Sequence, residues 1–214
     1  MAATGLKYPV YGIITRMNDG AAPTYGTPGV IGKAIKADVT FNSADGKLYC
    51  DDALGEYAYK FTDGSVVLGV DEITEAKKAA LLGYTLTAVS GSNKLIMGAA
   101  DVAPHAGFGY FKTIQVDGVR KYRTYFFYDV VFRETGDSAE TANESINFST
   151  PEITGTILPI VGFGKDNYAE IMTFDTEAAA KTHLHELVGI TGTPTTRSAP
   201  SETTDSGTKG SGTK

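Results

Sequence analysis

Gly107-Phe108-Gly109-Tyr110-Phe111-Lys112-Thr113-Ile114-Gln115-Val116, then Asp117-Gly118, then Val119-Arg120-Lys121-Tyr122-Arg123-Thr124-Tyr125-Phe126-Phe127-Tyr128-Asp129-Val130-Val131-Phe132-Arg133 is the stretch that decides the fold class. Both runs are dense in aromatic and β-branched residues, which fit a pleated, half-buried surface. Asp-Gly between two such runs is the strongest short-range signal for a β-hairpin, because its turn needs left-handed backbone at both central positions. The return strand would extend roughly 40 Å, beyond the usual strand length. Strict alternation puts Tyr122, Phe126, Tyr128, Val130 and Phe132 on one face. Lys121, Arg123, Tyr125, Phe127, Asp129, Val131 and Arg133 fall on the other. Aromatics on both faces mean that neither is simply solvated. One face is expected to meet the chain's own core. The other, with Tyr125 and Phe127 among charges, suits a neighbouring subunit, unless the strand is buried within one sandwich.

Working outward, three more Asp-Gly pairs punctuate the chain, at Asp19-Gly20, Asp45-Gly46 and Asp63-Gly64. The last separates Tyr57, Tyr59 and Phe61, alternating with Glu56, Ala58 and Lys60, from Ser65-Val66-Val67-Leu68-Gly69-Val70, so it reads as a second hairpin turn. Further strands are expected at 32–41, 84–89, 145–150, 152–159 and 168–174, with Pro151 marking an edge or bulge. Residues 42–54 read as a loop between strands, and 6–14 as an N-terminal segment. Two short helices are legible: 72–82, with Asp71 as N-cap and Gly83 as stop, and 176–188, with Asp175 as N-cap and Gly189 as stop. Ala180, Leu184, Leu187 and Val188 form a helical stripe suited to packing on a sheet. The expected fold is mainly β, an antiparallel sandwich or barrel-like body with one or two short flanking α-helices and a long β-hairpin. It occupies residues 1–189. Residues 190–214 contain no apolar side chain larger than Ala after Ile190 and read as a flexible Thr/Ser/Gly-rich tail.

Composition agrees with a globular body. The 214 residues are 42% hydrophobic and 21% charged, with 12 Tyr, 10 Phe, 25 Gly and no Trp, which excludes disorder throughout. A formal net charge of -6 argues against a surface built to grip phosphate or anionic membrane. A single cysteine, Cys50, cannot make an internal disulfide. No apolar run approaches the roughly 20 residues that span a bilayer, so membrane insertion is not expected. Met1-Ala2-Ala3-Thr4-Gly5 lacks the basic start and apolar stretch of a signal peptide.

Constellations that could carry chemistry fail on spacing. His183 and His185 lie two apart on a helix and point to different sides, so they cannot share a metal. Neither they nor His105 sit near Cys50 by sequence logic, as a catalytic thiol would require. Gly162-Phe163-Gly164-Lys165 lacks both the leading Gly and the trailing Ser/Thr of a phosphate loop, and reads as a turn. Arg120-Lys121-Tyr122-Arg123-Thr124-Tyr125 interleaves bases with aromatics, but strand alternation splits them between faces. Asp51, Asp52 and Glu56 lack the alternate spacing of a calcium loop and suit a solvated or interface loop. No catalytic residue, cofactor or metal is therefore expected, and the chain is not expected to be an enzyme.

Several stretches together resemble the major tail proteins, the tail tube subunits of long-tailed bacteriophages with non-contractile tails. They include Gly5-Leu6-Lys7-Tyr8-Pro9-Val10-Tyr11-Gly12, Lys47-Leu48-Tyr49-Cys50-Asp51-Asp52-Ala53-Leu54 and Leu68-Gly69-Val70-Asp71. They continue through Ala100-Asp101-Val102-Ala103-Pro104, Thr150-Pro151-Glu152-Ile153-Thr154-Gly155-Thr156-Ile157 and Phe174-Asp175-Thr176-Glu177-Ala178. The likeness spans about residues 5–189 and rests on framework motifs in order. It implies the tail tube fold: subunits in hexameric rings, stacked into a virion tube that conducts the genome, with phage DNA passing through the lumen without specific binding. It also implies a tape measure protein and a tail terminator as partners, and assembly in the host bacterial cytoplasm. On this reading the inter-subunit contacts are Leu48, Tyr49, Asp51 and Asp52 of the 42–54 loop, Tyr125 and Phe127 of the hairpin, and Tyr8 and Tyr11 of the N-terminal segment. The alternative is a β-sandwich host- or carbohydrate-binding or decoration protein of a virion, with exposed tyrosines as ligand platforms.

Overall fold

A computed structural model of the chain describes residues 2–51, 53–136 and 150–191. The expected strand over 145–149 and the tail from 192 onward lie outside the described residues, as does Asp52. The fold is mainly β and antiparallel. Its strands are β1 (Ala2–Arg16), β2 (Thr24–Val30), β3 (Ala34–Cys50), β4 (Ala53–Val70), β5 (Thr85–Val89), β6 (Ser92–Ile96), β7 (His105–Val116), β8 (Val119–Glu134), β9 (Glu152–Ile157) and β10 (Ala169–Phe174). Helix α1 (Glu75–Leu82) follows β4, and α2 (Glu177–Val188) follows β10. One eight-stranded sheet runs in the order β2-β1-β7-β8-β9-β4-β3, with β10 also paired to β8, while β5 and β6 form a separate two-stranded hairpin.

The β7–β8 hairpin turns where Asp117-Gly118 predicts, with both residues left-handed at φ 50° and 80°. Its faces do not follow strict alternation. Ala106 pairs with Val130 but Phe108 pairs with Phe127, so Tyr128 and Asp129 together oppose Gly107 in a β-bulge. The extra residue reverses the parity of β8. Phe126 therefore points to one side of the sheet, whereas Val130 and Phe132 point to the other, together with Phe127. The same bulge forks the sheet. Residues 122–127 of β8 pair with β10, and residues 130–134 pair with β9.

Two cores result. The first lies between the two halves of the curled sheet and is closed by α1. Tyr11, Leu68, Phe108, Tyr110, Phe127, Phe132 and Ile157 pack there with Leu81. The second lies on the opposite face of β1, β7 and β8 and is covered by α2. Ala180, Leu184 and Val188, the predicted stripe, are wholly buried against Val10, Phe111 and Phe126. Each fully buried Phe or Leu of this kind contributes roughly 1.5–3 kcal/mol. Gly109 makes the close approach possible: a Cβ there would stand 2.8 Å from Leu184 Cδ2. Ile190 also packs on this core, so the folded body reaches past the expected boundary at 189.

The helix starts move inward, by three residues in α1 and one in α2, while both C-terminal ends fall where expected. Thr74, not Asp71, is the N-cap of α1, because Asp71 Oδ1 accepts the backbone N–H groups of Lys33 and Glu72 and ties β4 to the start of β3. Thr176, not Asp175, caps α2, its hydroxyl accepting the N–H of Ala179. Gly83 and Gly189 terminate the helices in left-handed backbone as expected.

The expected turn at Asp63-Gly64 and the expected loop at 42–54 are both overturned. β3 and β4 pair almost continuously from Ala34↔Val70 to Cys50↔Ala53, so Asp45-Gly46 and Asp63-Gly64 lie mid-strand. An Asp-Gly pair turns the chain when its backbone is left-handed, and none of these four residues is. Gly64 serves packing instead, since a Cβ would approach Phe41 Cδ1 at 3.1 Å and Ile157 Cβ at 3.3 Å. The reversal occurs after Cys50, with Asp51 left-handed at φ 49°.

Candidate functional site

The outer part of the β3–β4 hairpin is an arm. From the pair Ser43↔Phe61 to the pair Cys50↔Ala53 it carries eight residues on β3 and nine on β4, a reach of roughly 25 Å. β9 accompanies β4 only from Gly64 to Gly69, so nothing among the described residues continues the sheet along the arm. The pairs Asp45↔Tyr59 and Lys47↔Tyr57 place two tyrosines on one face. Leu48 lies on the other, among the small residues Ala44, Gly46 and Ala58. Leu48, Tyr49, Tyr57 and Tyr59 are 56%, 66%, 55% and 72% exposed. Large apolar and aromatic side chains more than half exposed at that density are uncommon on the surface of a lone subunit and characteristic of interaction surfaces in general.

At the base of the arm the sheet splays between β3 and β10. The cleft, about 380 Å³, has Tyr110, Tyr125 and Phe127 as its floor and Phe41 and Tyr168 at its rim. Phe61 stacks on Tyr168 at 3.9 Å and fixes that rim. Tyr110 and Tyr125 stack at 5.4 Å, with Lys112 Nζ within 5.6 Å of both ring centroids. Burial pushes the Tyr110 hydroxyl far up, so it stays protonated.

Among the described residues, β2, β3 and β10 of the large sheet each leave an edge unpaired, and they differ in protection. β2 carries Pro28 and a left-handed Thr27 (φ 45°), both of which blunt pairing. On β3, Lys36 bridges to Asp38 and Glu152 at the rim. β10 has neither Pro nor Lys and exposes Ile171 and Met172 on its two faces.

The structure distributes the expected interface residues unevenly. Leu48, Tyr49 and Asp51 gather at the tip of the arm and are exposed. Tyr125 is half-buried, and Phe127 on the same face is 2% exposed, packed in the first core against Phe108 and Tyr110. Phe127 is therefore not on a solvent-side face. Tyr11 is likewise buried in that core. Tyr8, left-handed at φ 62° in a bulge of β1, stacks on His185 of α2 with Lys181 above its ring, so it ties β1 to α2 within the chain. The N-terminal segment thus spends its tyrosines on its own body. Tyr57 and Tyr59, one strand face in the sequence, become candidate contacts because the chain reverses after Cys50 and not at Asp63.

Other polar groups have structural partners. Glu177 is held below the usual carboxylate range: burial pushes it up, but Lys181 and Lys7, at 3.0 and 3.1 Å, outweigh that. Asp129, at the bulge, is pushed above its ordinary value by burial, and His105 Nδ1 at 2.7 Å offsets part of the rise. Among the described residues, no group of three His, Cys, Asp or Glu side chains is placed to hold a metal, and no helix is long and apolar enough to cross a membrane. Comparison with known proteins finds no matching family model and no matching curated protein.

Proposed function

We propose that the chain is a structural subunit that assembles with copies of itself into stacked rings, forming a tube of the kind found in phage tails, and that it performs no catalytic step. The observation that carries this reading is the arm. A hairpin that reaches about 25 Å past its last supporting strand, with four large side chains more than half exposed, is stabilised best by a neighbour. The unblunted edge of β10 supports the same reading, since an unguarded edge invites another chain's strand. The net charge of -6 suits a conduit that lets DNA slide. On this reading the site of action is the virion tail, and the tape measure and terminator proteins meet the tube from inside and at its end.

Replacing residues 44–60 with an Asn-Gly turn tests it. The pair Ser43↔Phe61 would then close a short hairpin, and Phe61 would keep its stack on Tyr168. The expected product is a folded monomer at concentrations where the full chain forms rings or tubes. Normal tubes from the shortened chain would refute the role of the arm.

A second reading has its own observation. The cleft sets aromatic Phe41, Tyr125 and Tyr168 beside polar Asn167 and Lys112, a mixture that suits a sugar ring. A host- or carbohydrate-binding decoration protein would remain monomeric or form a closed oligomer, and a glycan array with the purified chain separates it from the tube subunit.

A further inference from the structure

Besides the arm, one other hairpin stands off the body. Among the described residues, β5 and β6 pair only with each other, from Thr85↔Ile96 to Val89↔Ser92, around a left-handed Ser90-Gly91 turn. Their side chains are exposed apart from a half-buried Leu95, and Leu86, Val89, Ile96 and the adjoining Met97 are 39%, 48%, 46% and 64% exposed. An isolated two-stranded ribbon is at best marginal in water. Its support within the chain comes from α1, which is fastened to the C-terminal end of β8 by Lys78 and by the Tyr84 hydroxyl, both on Glu134.

That end is the far end from the arm. β4 and β8 flank β9, both antiparallel to it, so they run the same way, with Gly64 and Val130 level at Ile157. The arm extends from Gly64 back toward lower numbers, while Glu134 lies in the opposite direction. Among the described residues, the body thus carries one apolar hairpin without a sheet partner at each end. They also differ in charge. The arm, residues 43–60, holds Asp45, Asp51, Asp52 and Glu56 against Lys47 and Lys60. Residues 85–97 hold Lys94 and no carboxylate.

We propose that the arm of one copy packs against the β5–β6 hairpin of the next, in a head-to-tail contact. The inference rests on the self-assembly reading and names the partner of the arm within it. Because the two surfaces are different, the contact is heterologous. It repeats without closing along the axis and produces a filament rather than a dimer. Four half-exposed side chains a side cover a few hundred Å², well below the roughly 800 Å² per partner of a stable independent interface. A single joint is therefore weak, and the stack forms cooperatively once rings supply many joints together.

Cys50, the only cysteine, sits exposed near the arm tip and provides the test. Thr87→Cys places a second thiol on an exposed position of β5. Val119→Cys, at the tip of the β7–β8 hairpin and 57% exposed, is the control. Each full-length variant is treated with a short bismaleimide at assembling concentration, run on a denaturing gel and imaged in parallel. The proposal expects a ladder of dimers, trimers and longer species from Thr87→Cys. The ladder is lost when Cys50→Ser is added, and is absent from the Val119→Cys variant and from the wild type. Tubes by microscopy with no ladder would overturn this contact and leave self-assembly standing. Wild-type crosslinks that stop at dimers would mean arm tips meet each other, which also overturns it. Wild-type protein without any assembled species would sink both readings.

Discussion

Replacing Tyr57 and Tyr59 together by Ser removes most of the aromatic surface of the arm while leaving its backbone pairing with Lys47 and Asp45 in place. Both rings are more than half hydrated in the single chain. The surface they could still lose to a partner is about 250 Å² for rings of roughly 200 Å² each. At about 25 cal/mol per Å², and allowing for the polar hydroxyl, complete burial is worth at most about 5 kcal/mol per arm. Incomplete contact and side-chain ordering reduce that to about 3 kcal/mol. Since 1.4 kcal/mol is a factor of ten, the critical concentration for assembly should rise about a hundredfold. Sedimentation of the assembled fraction against total protein measures it directly. The monomer's melting temperature should move by no more than about 2 °C, because exposed side chains contribute little to the folded chain. An unchanged critical concentration with a well-folded variant would refute the reasoning. A large loss of thermal stability would show that the tyrosines serve the subunit itself.

Gly109→Ala drives a methyl group into Leu184 and Phe126 and should cost about 1–3 kcal/mol in denaturant unfolding; a neutral result would mean that α2 moves off the sheet freely. Glu177→Gln removes a carboxylate whose folded-state titration is depressed by Lys181 and Lys7. The wild type should be more stable by about 0.5–1 kcal/mol at neutral pH, and the gap should close as pH falls through the carboxylate range; a constant gap would contradict the ion-pair origin. Asp129→Asn has the opposite sign. Burial raises the Asp129 carboxyl, so its charge opposes folding once pH exceeds its ordinary value, and thermal melts should show the variant gaining on the wild type as pH rises from 4 to 7. A variant that loses ground over that range would mean that His105 more than compensates the buried charge.

Much of the fold was legible because its signals are local. The Asp117-Gly118 turn, the Gly83 and Gly189 helix stops and the stripe through Ala180, Leu184 and Val188 each depend on a few neighbouring residues. What could not be read depends on residues far apart in the chain. Asp63-Gly64 looks like Asp117-Gly118 in isolation, but its glycine is needed where Phe41 and Ile157 close over it. The bulge at Tyr128-Asp129 leaves no mark in the alternation of β8, and it alone moves Val130 and Phe132 to the side of Phe127. The candidate site divides in the same way. Leu48 and Tyr49 lie at an exposed tip whether the segment is a loop or a hairpin. Phe127, Tyr11 and Tyr8 pack within the chain, a matter that tertiary packing settles and residue type does not. The β5–β6 ribbon was half legible, since residues 84–89 read as a strand while Ser92–Ile96, with Asn93 and Lys94 at its start, carries weak strand signals.

Negative-stain electron microscopy of the purified full chain over a rising concentration series bears most directly on self-assembly. The account predicts annular particles that give way to hollow, evenly striated cylinders as concentration increases. Dispersed globular monomers at every concentration, under salt and pH matching a virion interior, would contradict it.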